Sequence, residues 1–300
     1  MSNPVKVPHN VVLADWVKQV AGDPIRHRER QITEILLHAI GLTPALKETL
    51  VLKGGILMSL AHGSYRQTGD VDFTAIVDPQ PYANTLRAIL DAALARAAAE
   101  LGYVDIVSAV QRFEYLPRQE GFENFTAPAL KLTIGYAKRG TPDEVRLKAK
   151  HSTQALQIDV SFKESVLHET ELTIESPNVS LRTYKIEEII GEKLRALLQQ
   201  PIRNRSRRQD VYDIDYLISL YAPNEDLRAA ILQSLCVKSD DRNVEIGPES
   251  LENPEVKSRA EAEWDTMRLE LGRMLPKFED AFARVLSFYK KLPWELLPKG

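Results

Sequence analysis

Apolar residues recur at helical spacing through the first fifty positions, where Ile32, Ile35, Leu36 and Ala39 form one stripe and Gly41 ends it. Thr43-Pro44 starts a second short helix, and these helices are expected to pack behind a functional site. Leu50-Val51-Leu52 then runs into Lys53-Gly54-Gly55, after which Ile56, Leu57 and Leu60 return at helical spacing. The two glycines therefore stand where a helix begins and where free backbone N–H groups can meet an anion. Between Thr68 and Val77 the period changes to two. Val71, Phe73 and Ala75 alternate with Asp70, Asp72 and Thr74, the pattern of a half-buried strand whose polar face carries carboxylates. An alanine-rich helix over 82–101 follows, with Leu86, Leu90, Leu94, Ala97 and Leu101 on one face and Gly102 as its C-terminal cap.

Three further segments, 129–136, 144–150 and 155–162, read as strands of a mixed or antiparallel sheet. In the last of them Ile158, Val160 and Phe162 face one way while Gln157, Asp159 and Ser161 face the other. Past Ser176-Pro177-Asn178 the pattern is almost wholly helical, with a helix over 186–200 stopped by Pro201 and another over 209–220. A loop with Arg203, Arg205, Arg207 and Arg208 lies between those two helices, and a polar, acidic loop is expected over 239–255. The domain boundary falls at that change of pattern, giving units of residues 1–176 and 177–300.

Composition narrows the class. Three hundred residues, 44% of them hydrophobic and 27% charged, can bury one large core or two ordinary ones. With 39 basic against 42 acidic residues there is no global sign of nucleic-acid binding, so any such surface is a local patch. Cys236 stands alone, which excludes an intrachain disulfide framework and a cysteine-rich zinc site. The first ten residues have no signal-like apolar core, and no apolar run is long enough to span a bilayer. A cytoplasmic protein with no membrane partner is expected. The six histidines show no metal-binding spacing.

The chemistry concentrates at Asp70-Val71-Asp72-Phe73. Alternate residues of a strand point to one face, so the two carboxylates lie roughly 6.5–7 Å apart along the backbone and can converge on one cation. Oxygen ligands suit Mg²⁺, which keeps several waters and completes its shell with substrate phosphates. An Asp-x-Asp by itself is as compatible with a solvated strand edge. Asp159 is a possible third carboxylate, with Glu164 or Glu144 as alternatives. By the same caution, Lys193 could be a surface lysine paired with Glu188, Glu192 or Gln200, and Asp213 a helix-surface charge.

Leu52-Lys53-Gly54-Gly55, with fifteen positions from Gly55 to Asp70, and the Asp70–Phe73 block resemble the first motif of the AbiEii/AbiGii (MenT-like) nucleotidyltransferase toxins. The run from Glu188 through Glu192, Lys193, Arg195 and Ala196, followed by Arg208, Asp210, Tyr212 and Asp213, is similar to the family's downstream pattern. The resemblance covers roughly residues 30 to 220. It implies an α+β, DNA polymerase β-like nucleotidyltransferase core with a mixed sheet and flanking helices, completed by a C-terminal helical domain. It also implies that Asp70 and Asp72 hold Mg²⁺ with Asp159, and that Lys193 and Asp210 are required for activity. Lys53, Gly54, Gly55, Arg66, Thr68, Arg195 and Arg208 would meet the nucleotide. Many members carry Thr or Ala after the two glycines, whereas Ile56 stands here, which leaves backbone N–H groups as the phosphate contacts of the turn.

The resemblance thus implies an NTP-dependent transferase that releases pyrophosphate. It would act as a toxin beside a cognate antitoxin in phage defence, and would modify RNA, the tRNA 3′ end above all. Nucleotidylation of a protein or small molecule, an inactive binding module and a metal-dependent nuclease are the alternatives.

Overall fold

The computed structural model describes residues 10–297, apart from the side chains of residues 80–84, so the segment 1–9 lies outside the described residues. In chain order the elements begin β1 (Asn10–Val11), α1 (Leu13–Lys18), α2 (Pro24–Gly41), α3 (Pro44–Lys47), β2 (Leu50–Lys53), α4 (Gly54–His62) and β3 (Asp70–Ala75). They continue with α5 (Pro79–Glu100), β4 (Ile106–Leu116), β5 (Ala129–Lys138), α6 (Pro142–Lys148), β6 (Ala155–Ser161), β7 (Glu169–Ile174) and β8 (Val179–Tyr184). The remainder is helical: α7 (Ile186–Leu198), α8 (Gln200–Arg203), α9 (Arg208–Tyr221), α10 (Glu225–Asp240), α11 (Pro254–Glu261), α12 (Arg268–Leu271) and α13 (Phe278–Lys290).

Among the described residues eight strands form one mixed sheet in the order β1-β7-β8-β2-β3-β6-β5-β4. At its centre β2 runs antiparallel to β3, and β3 parallel to β6. Leu52, Phe73, Ile158, Val160, Leu130 and Leu132 point to the apolar face, all buried, where α2 and α5 pack. Helices α2 and α5 thus cover the side opposite the polar rows. Asp23 caps α2 by accepting from the N–H groups of Ile25 and Arg26, and Pro24 pre-sets its first turn. On the C-terminal side α7 is buried against both α9 and α10.

Two readings of the sequence are corrected. Residues 144–150 do not form a strand; Pro142 opens helix α6, whose first turn carries Asp143 and Glu144 and whose last carries Arg146 and Lys148. Those charges match the helix dipole, and of the three alternating apolar residues Val145 and Ala149 stay exposed while Leu147 alone is buried. The sheet also does not end at residue 176. β8 lies beyond it and pairs with β2, so the helical stretch begins at Ile186. Among the described residues no helix is long and apolar enough to cross a membrane.

Candidate active site

Strand register lays a row of charges across the polar face of the sheet. Lys53 pairs with Asp72, Asp72 with Asp159, and Asp159 with Lys131, through β2, β3, β6 and β5 in turn. Lys131 Nζ lies 3.1 Å from Asp159. One step along β3, Asp70 stands exposed at the strand's start. The glycines after Lys53 are dictated by this packing. Gly54 has φ +70°, and a Cβ there would run into the Asp72 carboxylate. A Cβ on Gly55 would lie 2.7 Å from Thr68 Cβ. The turn is therefore small because Asp72 and Thr68 close over it at the N-terminus of α4. Thr68 Oγ1 donates to the backbone carbonyl of Asp70 at 3.3 Å, which ties the loop to the strand.

Lys53 does not reach into open space. Its buried ammonium donates to Glu164 at 2.6 Å and to Glu192 at 2.9 Å. Burial would push Glu164 up, but Lys53, Lys238, Arg195 and Arg242 around it hold it well below the ordinary carboxylate range. Asp72 behaves in the opposite way. Burial pushes it up to about 6; Lys53 opposes this, while Glu192, Asp159 and Asp70 add to it. Asp70 is also raised, by burial and by Asp159, against the pull of Lys131. The carboxylate group is thus short of positive charge.

That donor set fits a hard divalent cation: it is all oxygen, and both raised aspartates gain from a nearby positive ion. Among the described residues no three His, Cys, Asp or Glu side chains form a ready-made cage. Two carboxylates with substrate phosphates are a sufficient Mg²⁺ donor set.

A second ionic group stands on the helical side. Lys193, buried on α7, donates to Asp210 at 2.9 Å and to Asp213 at 2.7 Å, both on α9. Asp213 is fully buried and also takes the Arg66 guanidinium in a two-pronged contact of 3.1 Å on each arm. Burial opposes its charge, yet Lys193 and Arg66 hold its pKa below the usual value. Lys193 is raised: burial lowers it, and Asp210 and Asp213 more than compensate. Lys193 is therefore no surface lysine, and Asp213 no surface charge.

Both groups border one cavity of about 940 Å³. Lys53, Gly54, Gly55, Arg66, Thr68, Asp70, Asp72 and Asp159 line it from the sheet side, and Lys193, Arg195 and Asp210 from the helical side. Arg203, Arg205, Arg207 and Arg242 extend that cationic wall. Arg203 is depressed by burial and then by Arg205, Arg242, Arg195 and Arg207, as expected of guanidinium groups crowded with too few counter-charges.

Arg208 is not brought into the cavity; it pairs with Glu263 at 3.0 Å, and Arg207 takes the lining position. Glu144 sits outside on α6, bound to Lys148. Sequence reasoning missed Glu192, Lys131 and Arg242. Glu192 lay within the downstream block and Lys131 on the polar positions of β5, so both had a signal. Arg242, in the turn that follows α10 far along the chain, had none.

A family profile described as the nucleotidyl transferase AbiEii toxin of type IV toxin–antitoxin systems matches residues 35–284. The MenT4 nucleotidyltransferase toxin from Mycobacterium tuberculosis H37Rv superposes with a TM-score of 0.55 at 16% identity, over 95% of this chain and 91% of that one. An antigenic nucleotidyltransferase-like protein from Paracoccidioides brasiliensis aligns over 77% of this chain and 93% of its own at 20% identity, with a TM-score of 0.33. A search of curated proteins found no match. With its mixed sheet and C-terminal helices in the nucleotidyltransferase arrangement, the chain belongs to the AbiEii nucleotidyl transferase toxin family of type IV toxin–antitoxin systems.

Proposed function

We propose that this toxin transfers a nucleotide from an NTP to an RNA acceptor, the tRNA 3′ end, with Mg²⁺ as cofactor. The observation that carries the reading is one cavity lined by the carboxylates Asp70, Asp72 and Asp159, the first two raised by burial, and by the arginines Arg203, Arg205 and Arg207. Acceptor and triphosphate both bring negative charge, and the arginines match them.

Asp70 and Asp72 would hold the metal, with Asp159 as third carboxylate. The ion supplies neutralisation of the phosphates and activation of the acceptor hydroxyl when bound. The acceptor oxygen bonds to the α-phosphorus, the bond from that phosphorus to the bridging oxygen breaks, pyrophosphate leaves, and the hydroxyl proton passes to water. Backbone N–H groups at the start of α4 face the phosphates. Lys193 and Arg195 offset phosphate charge on the helical side, Lys193 being oriented by Asp210 and Asp213. Arg66, fixed by Asp213, and Thr68 shape the loop above Asp70. Lys53 sets the charge beneath Asp72 and is a positioning residue. The divide between sheet and helices supports a nucleotidyltransferase unit completed by a helical one, with the junction near Tyr184.

Family membership brings a nucleotide substrate and a cognate antitoxin. Incubation with labelled NTPs, Mg²⁺ and total tRNA tests the acceptor: label is expected on tRNA, and Asp70→Ala and Asp72→Ala are expected to abolish it. Label on protein alone, or transfer by the two variants at the wild-type rate, would sink the reading.

A further inference from the structure

One stretch of the cavity wall is apolar and takes no part in the chemistry above. Leu116, Pro117, Phe125, Ala127 and Pro128 meet where β4 returns to β5, on the same cavity as the carboxylates and arginines. This lip is anchored. Arg242 donates to the carbonyls of Thr126 at 3.0 Å and Lys163 at 2.8 Å, and buried Phe122 lies against Tyr115 with ring centroids 4.0 Å apart. Phe125, between these two anchors, keeps 40% of its surface exposed.

An aromatic ring left bare on a fixed backbone is a surface that another flat ring can cover at little ordering cost. Nucleobases stack on such rings with little regard to sequence, because every base presents a π-face. The register sets the reach. Ala129, which follows the lip, pairs with Ser161, two residues along β6 from Asp159, the neighbour of Asp72. Strand spacing then puts Ala129 roughly 12 Å from Asp72, on the order of the span from a nucleotide's phosphates to its base.

We propose that Phe125 is the stacking platform for the base of the incoming NTP. The inference rests on the transferase reading given above. The lip offers a ring face and apolar side chains, so this contact holds a base without choosing among bases by its edge.

The test compares wild type with Phe125→Ala and Phe125→Trp by calorimetry in Mg²⁺, using α,β-methylene analogues of the four NTPs and inorganic tripolyphosphate as probes. F125A is expected to weaken every NTP analogue about tenfold and to leave tripolyphosphate unchanged, with F125W restoring affinity. Equal effects of F125A on both kinds of probe, or none on either, would overturn the proposal. Unchanged nucleotide affinity with a raised KM for RNA would also overturn it and assign the ring to the acceptor. If wild type binds neither probe, the transferase reading itself fails, whatever Phe125 does.

Discussion

At Asp213 one fully buried carboxylate serves two cations, Arg66 from the loop after α4 and Lys193 from α7. Removing one partner of a buried ion pair leaves uncompensated charge, which typically costs about 3–5 kcal/mol. Asp213→Asn is therefore expected to lower unfolding free energy by about 3 kcal/mol. Urea denaturation measures it, and a change under about 1 kcal/mol would show that Asp210 alone satisfies Lys193. His62 makes a different prediction. Its buried ring meets the Tyr221 hydroxyl at 2.9 Å, and burial lowers its pKa from the usual 6.5 to about 4. Between those values the unfolded chain takes a proton that the folded chain refuses. Stability is thus full above pH 6.5 and falls as pH drops, by up to about 3 kcal/mol near pH 4. Fully buried His38 is shifted the same way. Thermal unfolding of wild type and His62→Gln across this range should give a flatter pH profile for the variant, and parallel profiles would refute the assignment. At this scale the sequence singled out Asp70, Asp72 and Lys193, which the structure places on one cavity, because their neighbours match a family motif. It could not disclose that Asp213 links Arg66 to Lys193, since those partners lie 147 and 20 positions away.

Between elements, close approach is set by small residues. Gly191 lies at the contact of α7 and α10, where a Cβ would fall 2.8 Å from Ser234 Cβ and 2.9 Å from the Leu235 backbone nitrogen. The neighbour there is helix backbone, which cannot step aside cheaply. Gly191→Ala is expected to cost about 2 kcal/mol by overpacking, despite its better helix propensity. An unchanged or raised Tm would contradict this. Period alone identified α2, α4, α7 and α9 and the strands β3, β5 and β6, all of which carry several apolar residues on one face. It failed at 144–150, where three alternating apolar residues, one of them the small Ala149, were too few to separate a short helix from a strand. It passed over β7 and β8, whose short alternating runs adjoin the turn that was read as a domain boundary.

Across the whole molecule, a net charge of −3 conceals a segregated surface, with Arg203, Arg205 and Arg207 gathered on one wall of the cavity. For single strands each phosphate neutralised contributes about 0.7 to the slope of log affinity against log salt. Replacing the three arginines by glutamine is expected to reduce the slope for tRNA binding by about 2 and to weaken binding at low salt. Filter binding over a salt series measures it, and an unaltered slope would remove these residues from the RNA path. The sequence by itself determined the alternation that aims Asp70 and Asp72 at one face, the glycine turn before them and the helical character of the chain from Ile186 onward, because these follow from local period and backbone sterics. Only the tertiary structure decided that Lys53 is spent on Glu164 and Glu192, that Arg207 rather than Arg208 lines the cavity, and that an apolar lip borders the same cavity as the carboxylates. Those outcomes depend on strand register and helix packing between distant segments, and no local pattern records which buried charges will find each other.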